Sequence, residues 1–222
     1  MRLIALLVLA LSTSLAVLAQ QRFDFKVRED MFAGMDGDTA AFDRAMKLIA
    51  DTLAADPDHA EALVWRGDGR LFLAVQAFQR GATAEGQALT AQATADMDRA
   101  VALAPDNIAV RVPRAAGLLP FARGMRRFNR PEADRMTRTA IGDFEFVVAT
   151  STPWWSKLND HSRGEMLGAL ADGWLQLGDI DKAGLYLDRM TNELPDTPYA
   201  KNAALRRADP ASRAPLTCLG CH

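Results

Sequence analysis

The sequence predicts an all-α fold built as a row of helical hairpins, on three observations. In the most regular segment apolar residues recur every three to four positions: Leu167, Leu170, Ala171 and Trp174, then Ala183, Leu187 and Met190. That spacing lays one apolar stripe along each of two helices. Pro57, Pro105, Pro153 and Pro195 close periodic stretches at spacings of 48, 48 and 42 residues, and proline ends a helix because it lacks an N–H and clashes with the preceding turn. Nowhere does the chain show the alternation of a half-buried strand.

The elements follow in chain order. Met1-Arg2 supplies a positive charge, Leu3 to Ala19 is almost unbroken apolar sequence, and Val17-Leu18-Ala19 ends it with the small residues a signal peptidase reads. Residues 1–19 are therefore expected to be a signal peptide cleaved after Ala19, with an uncleaved anchor as the alternative. No later stretch is apolar enough to cross a membrane. What remains is about 200 residues, enough for one domain or a short repeat array. A net charge of −2 argues against nucleic acid as a partner.

Within residues 20–207, Ala45 to Ile49 with Leu53 reads as a second helix of one hairpin. Asp56-Pro57 stops it, and Ala60 to Leu63 with Trp65 opens the next. Met97 to Val101 before Ala104-Pro105 repeats the pattern, and Ala140, Phe144, Val147 and Val148 before Pro153 repeat it again. The Gly- and Ala-rich stretch Gly81 to Ala95 holds extra residues, as a longer loop or as lengthened helices. Gly164 to Thr197 then runs helix, turn at Gly178-Asp179, helix, and stop at Pro195. Tyr199 to Arg207 reads as a short capping helix. Residues 208–222 form a linker, rich in small and polar residues and carrying Pro210 and Pro215, and a tail.

Leu167, Ala171, Trp174, Ala183 and Pro195 fall where the large, small and stop positions of the tetratricopeptide repeat fall, so this segment resembles that family. Met190 departs from the small residue expected there. The resemblance extends loosely over Asp30 to Arg207. It implies about four hairpins stacked as a right-handed superhelix, whose concave groove docks a peptide or protein. Fold alone licenses no particular function.

The last five residues, Cys218-Leu219-Gly220-Cys221-His222, contain both cysteines and one of the three histidines. Random placement would produce this C-x-x-C-H arrangement with a probability on the order of one in ten thousand. It resembles the haem-attachment motif of c-type cytochromes. The resemblance implies haem c as cofactor, with Cys218 and Cys221 forming thioethers to its two vinyl groups and His222 as an axial iron ligand. Other readings of the five residues are a dithiol redox pair, which would want a thioredoxin-like sheet, zinc with a remote fourth ligand, or a local disulfide. A two-residue loop cannot staple a fold of this size. Familiar cytochromes carry the motif near the N-terminus or inside a last helix, whereas Pro210 and Pro215 oppose a helical setting for Cys218.

His161, after Trp154-Trp155, is a candidate sixth iron ligand, against a structural role at the start of the next helix. His59 sits in a turn composition, and Met166 and Met190 read as core filler. Arg111, Arg114, Arg123, Arg126, Arg127, Arg130, Arg135 and Arg138 lie in a stretch whose acids are Glu132 and Asp134. This is either a solvated face, a docking patch for an acidic redox partner, or a set of guanidinium groups that pair with haem propionates. No nucleophile–base–orienter set, phosphate loop or metal-spaced carboxylate cluster is present, and Gly34 to Asp38 is turn chemistry, so polypeptide catalysis is not expected. The reading is an exported, periplasmic-type monohaem cytochrome that transfers single electrons with a redox partner docked on the repeats. The alternatives are a peptide-binding adaptor and a haem-based gas sensor.

Overall fold

The computed structural model describes residues 22–217; the expected signal peptide and the Cys218–His222 motif lie outside the described residues. Nine α-helices occur among them: α1 (Asp24–Met35), α2 (Thr39–Ala55), α3 (Ala60–Gln79), α4 (Thr83–Leu103), α5 (Ile108–Met125), α6 (Arg130–Ser151), α7 (Asp160–Leu177), α8 (Ile180–Glu193) and α9 (Pro198–Ala208). A 3-10 helix, Thr152–Lys157, joins α6 to α7. The described residues contain no strand, as the missing alternation predicts.

Helix ends follow from local chemistry. α2, α4 and α8 each stop two residues before Pro57, Pro105 and Pro195, because the residue preceding a proline is pushed out of the helical region; at Pro153 the preceding Thr152 stays helical and α6 passes into the 3-10 helix. At the other ends, Asp38, His59, Asn107, Asn129, Asn159, Asp179 and Thr197 each accept a hydrogen bond from a backbone N–H in the first turn. Each satisfies one of the four donors that a helix start leaves open. Gly178 closes α7 with φ of 80°, a left-handed cap that residues with a Cβ adopt only at a cost.

Short connections make α1/α2, α3/α4, α5/α6 and α7/α8 antiparallel hairpins, and α9 packs on α8 and α7. The first helices of successive hairpins also pack on one another: α1 on α3, α3 on α5, α5 on α7. Every residue of the periodic stripe in α7 and α8 is buried, with Leu167, Leu170, Ala171, Ala183 and Met190 at 0 % exposure. A fully buried Leu contributes about 1.5–3 kcal/mol, so these stripes fix how the hairpins stack. The extra residues around Gly81 to Ala95 are absorbed by lengthened helices, since α3 and α4 have 20 and 21 residues and only Arg80 to Ala82 connects them.

α5 breaks the sequence rule. Pro113 and Pro120 lie inside it, which removes the helical donors to the carbonyls of Ala109 and Ala116. The helix persists because Val110, Ala115, Leu118, Leu119 and Ala122 are buried between its neighbours, and tertiary packing outweighs local propensity.

A second, smaller core positions the tail. Leu167 and Ala171 of α7, Leu187 and Met190 of α8, Ala203 of α9 and Leu216 cluster together, with Trp155 and Tyr199 at the margin. Met190, larger than the repeat resemblance expects, is fully buried in this cluster.

Candidate functional site

The segment that follows α9 is irregular, as its prolines dictate, yet its last described residues are packed. Leu216 is 4 % exposed, and an ideal Cβ on Gly168 would stand 1.9 Å from the Leu216 carbonyl oxygen. Only a glycine admits the chain so close to α7. Arg206 of α9 donates to the Ser212 carbonyl oxygen and lies 3.8 Å from Asp172. Arg206 thus lies near both Ser212 and Asp172, while Leu216 packs on Gly168, which is four residues nearer the N-terminal end of α7 than Asp172.

That end of α7 carries His161. His161, Glu165, Gly168 and Asp172 recur at the three-to-four-residue interval that places side chains on one helix face. Tyr199, on the first turn of α9, lies over Gly164, where a Cβ would approach its ring within 2.5 Å. The Tyr199 hydroxyl donates to Glu165 Oε1 at 2.8 Å and lies 2.9 Å from His161 Nδ1.

His59 is engaged differently. Its Nδ1 accepts from the Ala62 N–H at 3.1 Å and caps α3, and its ring stacks 5.0 Å from Phe23, so it is absorbed by the fold. Met190 is fully buried, and Met166 packs against the main core.

Trp155 borders the small core from the 3-10 helix. Its Nε1–H donates to Glu193 Oε2 at 2.6 Å, Arg189 Nε donates to Glu193 Oε1 at 2.6 Å, and the Arg189 guanidinium lies 5.1 Å from the Trp155 ring centroid. Burial alone would raise the Glu193 carboxyl, but the bonds from Arg189 and Trp155, with the charges of Arg189 and Arg163, outweigh it and hold the group below the ordinary carboxylate range. Trp154 is more exposed, at 36 %.

In the arginine stretch, Arg111, Arg114 and Arg123 pair with acids outside it, and Arg126, Arg130 and Arg135 with Asp134 and Glu132 inside it. Arg111 and Arg114 both bind Asp143, which is 1 % exposed, at 2.6 Å each, and Arg114 also reaches Asp98 at 3.0 Å. Arg123 pairs with Asp172, Arg126 lies 2.6 Å from Asp134, and Arg135 pairs with Glu132 at 2.6 Å. Arg111 also covers the Phe146 ring at 4.1 Å. The same device recurs one hairpin earlier, where Arg66 and Arg70 of α3 clamp the buried Asp96 of α4. Sequence reading missed these clamps because Asp96, Asp98, Asp143 and Asp172 lie 16 to 49 positions from the arginines they bind.

Among the described residues no group of three or more His, Cys, Asp or Glu side chains is placed to hold a metal ion. No helix among them is long and apolar enough to cross a membrane. No known protein family, curated protein or solved structure matches the chain.

Proposed function

We propose that this chain is an exported monohaem c-type cytochrome, a tetratricopeptide-like array that docks a redox partner and carries haem c on its tail. The observation that carries the reading is the C-x-x-C-H arrangement of Cys218, Cys221 and His222, the only two cysteines of the sequence followed by one of its three histidines. Each thiol adds across one vinyl double bond, sulfur to one carbon and hydrogen to the other, so attachment consumes no oxidant. His222 supplies an imidazole to one face of the iron. Once bound, haem c supplies a one-electron couple. The docked Leu216 supports the reading, because the chain is anchored on α7 two residues before Cys218 in sequence. The hairpin stacking of α1 to α8 supports the repeat-array part of the proposal. As a partner surface, the stacked hairpins take precedence over the Arg111 to Arg138 stretch, where most of the charge is already paired.

The test is expression of the chain with a cytochrome maturation system. The mature protein should be coloured, keep its colour in denaturant and gain the mass of one haem. Cys218→Ser and Cys221→Ser together should abolish both. A colourless wild-type product would leave a peptide-binding adaptor.

A further inference from the structure

We infer that the α5–α6 turn is a docking knob for an acidic protein partner, with Phe128 as the inserted side chain and Arg127 and Arg130 as its charged flanks. This rests on the partner-docking part of the proposed function and adds where the partner sits and what chemistry it presents; it draws nothing from the haem. The four hairpins turn in different ways. α1–α2, α3–α4 and α7–α8 are joined by two or three residues that include Gly37, Gly81 and Gly178, whose φ angles of 117°, 81° and 80° glycine adopts freely. The α5–α6 turn, residues 126–129, is the longest of the four and has no residue of positive φ. Its backbone closes through the Phe128 and Asn129 N–H groups, which donate to the Met125 carbonyl oxygen at 2.8 and 3.0 Å, and Asn129 caps α6. The turn therefore needs nothing from the Phe128 side chain. Phe128 is nonetheless 76 % exposed, more than any other large apolar residue among the described residues.

The charge around the ring selects the partner. Residues 123–130 hold four arginines and no acid, in a chain whose net charge is −2. Asp172 neutralises Arg123, and the single carboxylate of Asp134 serves both Arg126 at 2.6 Å and Arg130 at 3.8 Å. Arg127 has no acidic partner among the described residues, and its guanidinium lies 4.5 Å from the Phe128 ring centroid. The Arg130 side chain is 72 % exposed. Pairing thus removes most of the Arg111 to Arg138 stretch as a charged surface and leaves this turn, the same one that offers an aromatic ring. Guanidinium groups pair with carboxylates through two parallel bonds, and aromatic and arginine side chains are enriched at the centres of protein interfaces. The complement is an acidic surface with an apolar recess for the ring. A bilayer is matched less well, because interfacial anchors insert a whole apolar face and this turn offers one ring.

The test uses the full mature chain and a fluorescein-labelled peptide of alternating glutamate and leucine, read by anisotropy over a range of salt concentrations. The wild type should bind the peptide, more weakly as salt rises, and should not bind the same peptide with lysine in place of glutamate. Phe128→Ser, and separately Arg127→Gln combined with Arg130→Gln, should each weaken binding about tenfold, with a flatter salt dependence in the arginine variant. Arg99→Gln, which removes an exposed arginine on α4, should bind as the wild type does. All of these variants should melt with the wild type, since the altered side chains are exposed. A loss in Phe128→Ser no greater than in Arg99→Gln overturns the inference, and so does a wild type that ignores the peptide. Sedimentation with phosphatidylglycerol vesicles in place of peptide binding also overturns it and assigns the turn to a membrane. Haem colour and mass are read on the same samples: a coloured protein without Phe128-dependent binding overturns the docking site alone, and a colourless protein that binds overturns the haem reading alone.

Discussion

At the scale of single residues, two positions carry more than their sequence context suggests. Asp143 is buried between Arg111 and Arg114. Removing one partner of a buried ion pair leaves uncompensated charge, which typically costs about 3–5 kcal/mol. Asp143→Ala should lower the unfolding free energy by that amount in denaturant titration. Gly168 stands where the Leu216 backbone presses on α7. Gly168→Ala should displace residues 212–217, with faster amide exchange there, while α1 to α6 keep their protection. Neither role was legible in the sequence. The arginines read as a charge run because their partners are remote, and Gly168 is an unremarkable helical glycine until the returning tail is known. The buried stripe from Leu167 to Met190 was legible, since it depends only on spacing along one helix at a time.

Single elements were read best where the chain carries its own punctuation. Pro57, Pro105 and Pro195 stop α2, α4 and α8, Pro153 marks the change from α6 to the 3-10 helix, and polar caps start seven helices. α5 was the exception, since Pro113 and Pro120 signal breaks that packing overrides. Asn159 accepts from the Ser162 N–H at 2.8 Å at the start of α7. Asn159→Ala should cost about 1 kcal/mol and loosen the turn that carries His161, seen as faster exchange over 160–163. The 3-10 helix adds a pH dependence. The Glu193 carboxyl is depressed in the folded state, so its stabilising contribution is present above the unfolded glutamate value, about pH 4.3, and is lost as pH falls through the lower folded value. The apparent melting temperature should therefore drop on acidification below about pH 4, more in the wild type than in Glu193→Gln. Equal slopes for the two proteins would remove Glu193 as the cause.

On the scale of the whole molecule, α1 to α9 form a stack in which each hairpin covers its neighbour, and the tail is returned to the last one. The all-helical class and the hairpin order were legible because they follow from periodicity and stop signals. The return of the tail was not, because a Pro-rich stretch announces irregular backbone without saying where it packs. That return anchors Leu216 on α7, two residues before Cys218 in sequence. The most direct measurement is the intact mass and visible spectrum of the mature chain produced with a cytochrome maturation system. One haem held through Cys218 and Cys221, still attached after denaturation, is the result expected; a colourless protein of unmodified mass, with those two thiols free or joined to each other, would contradict it.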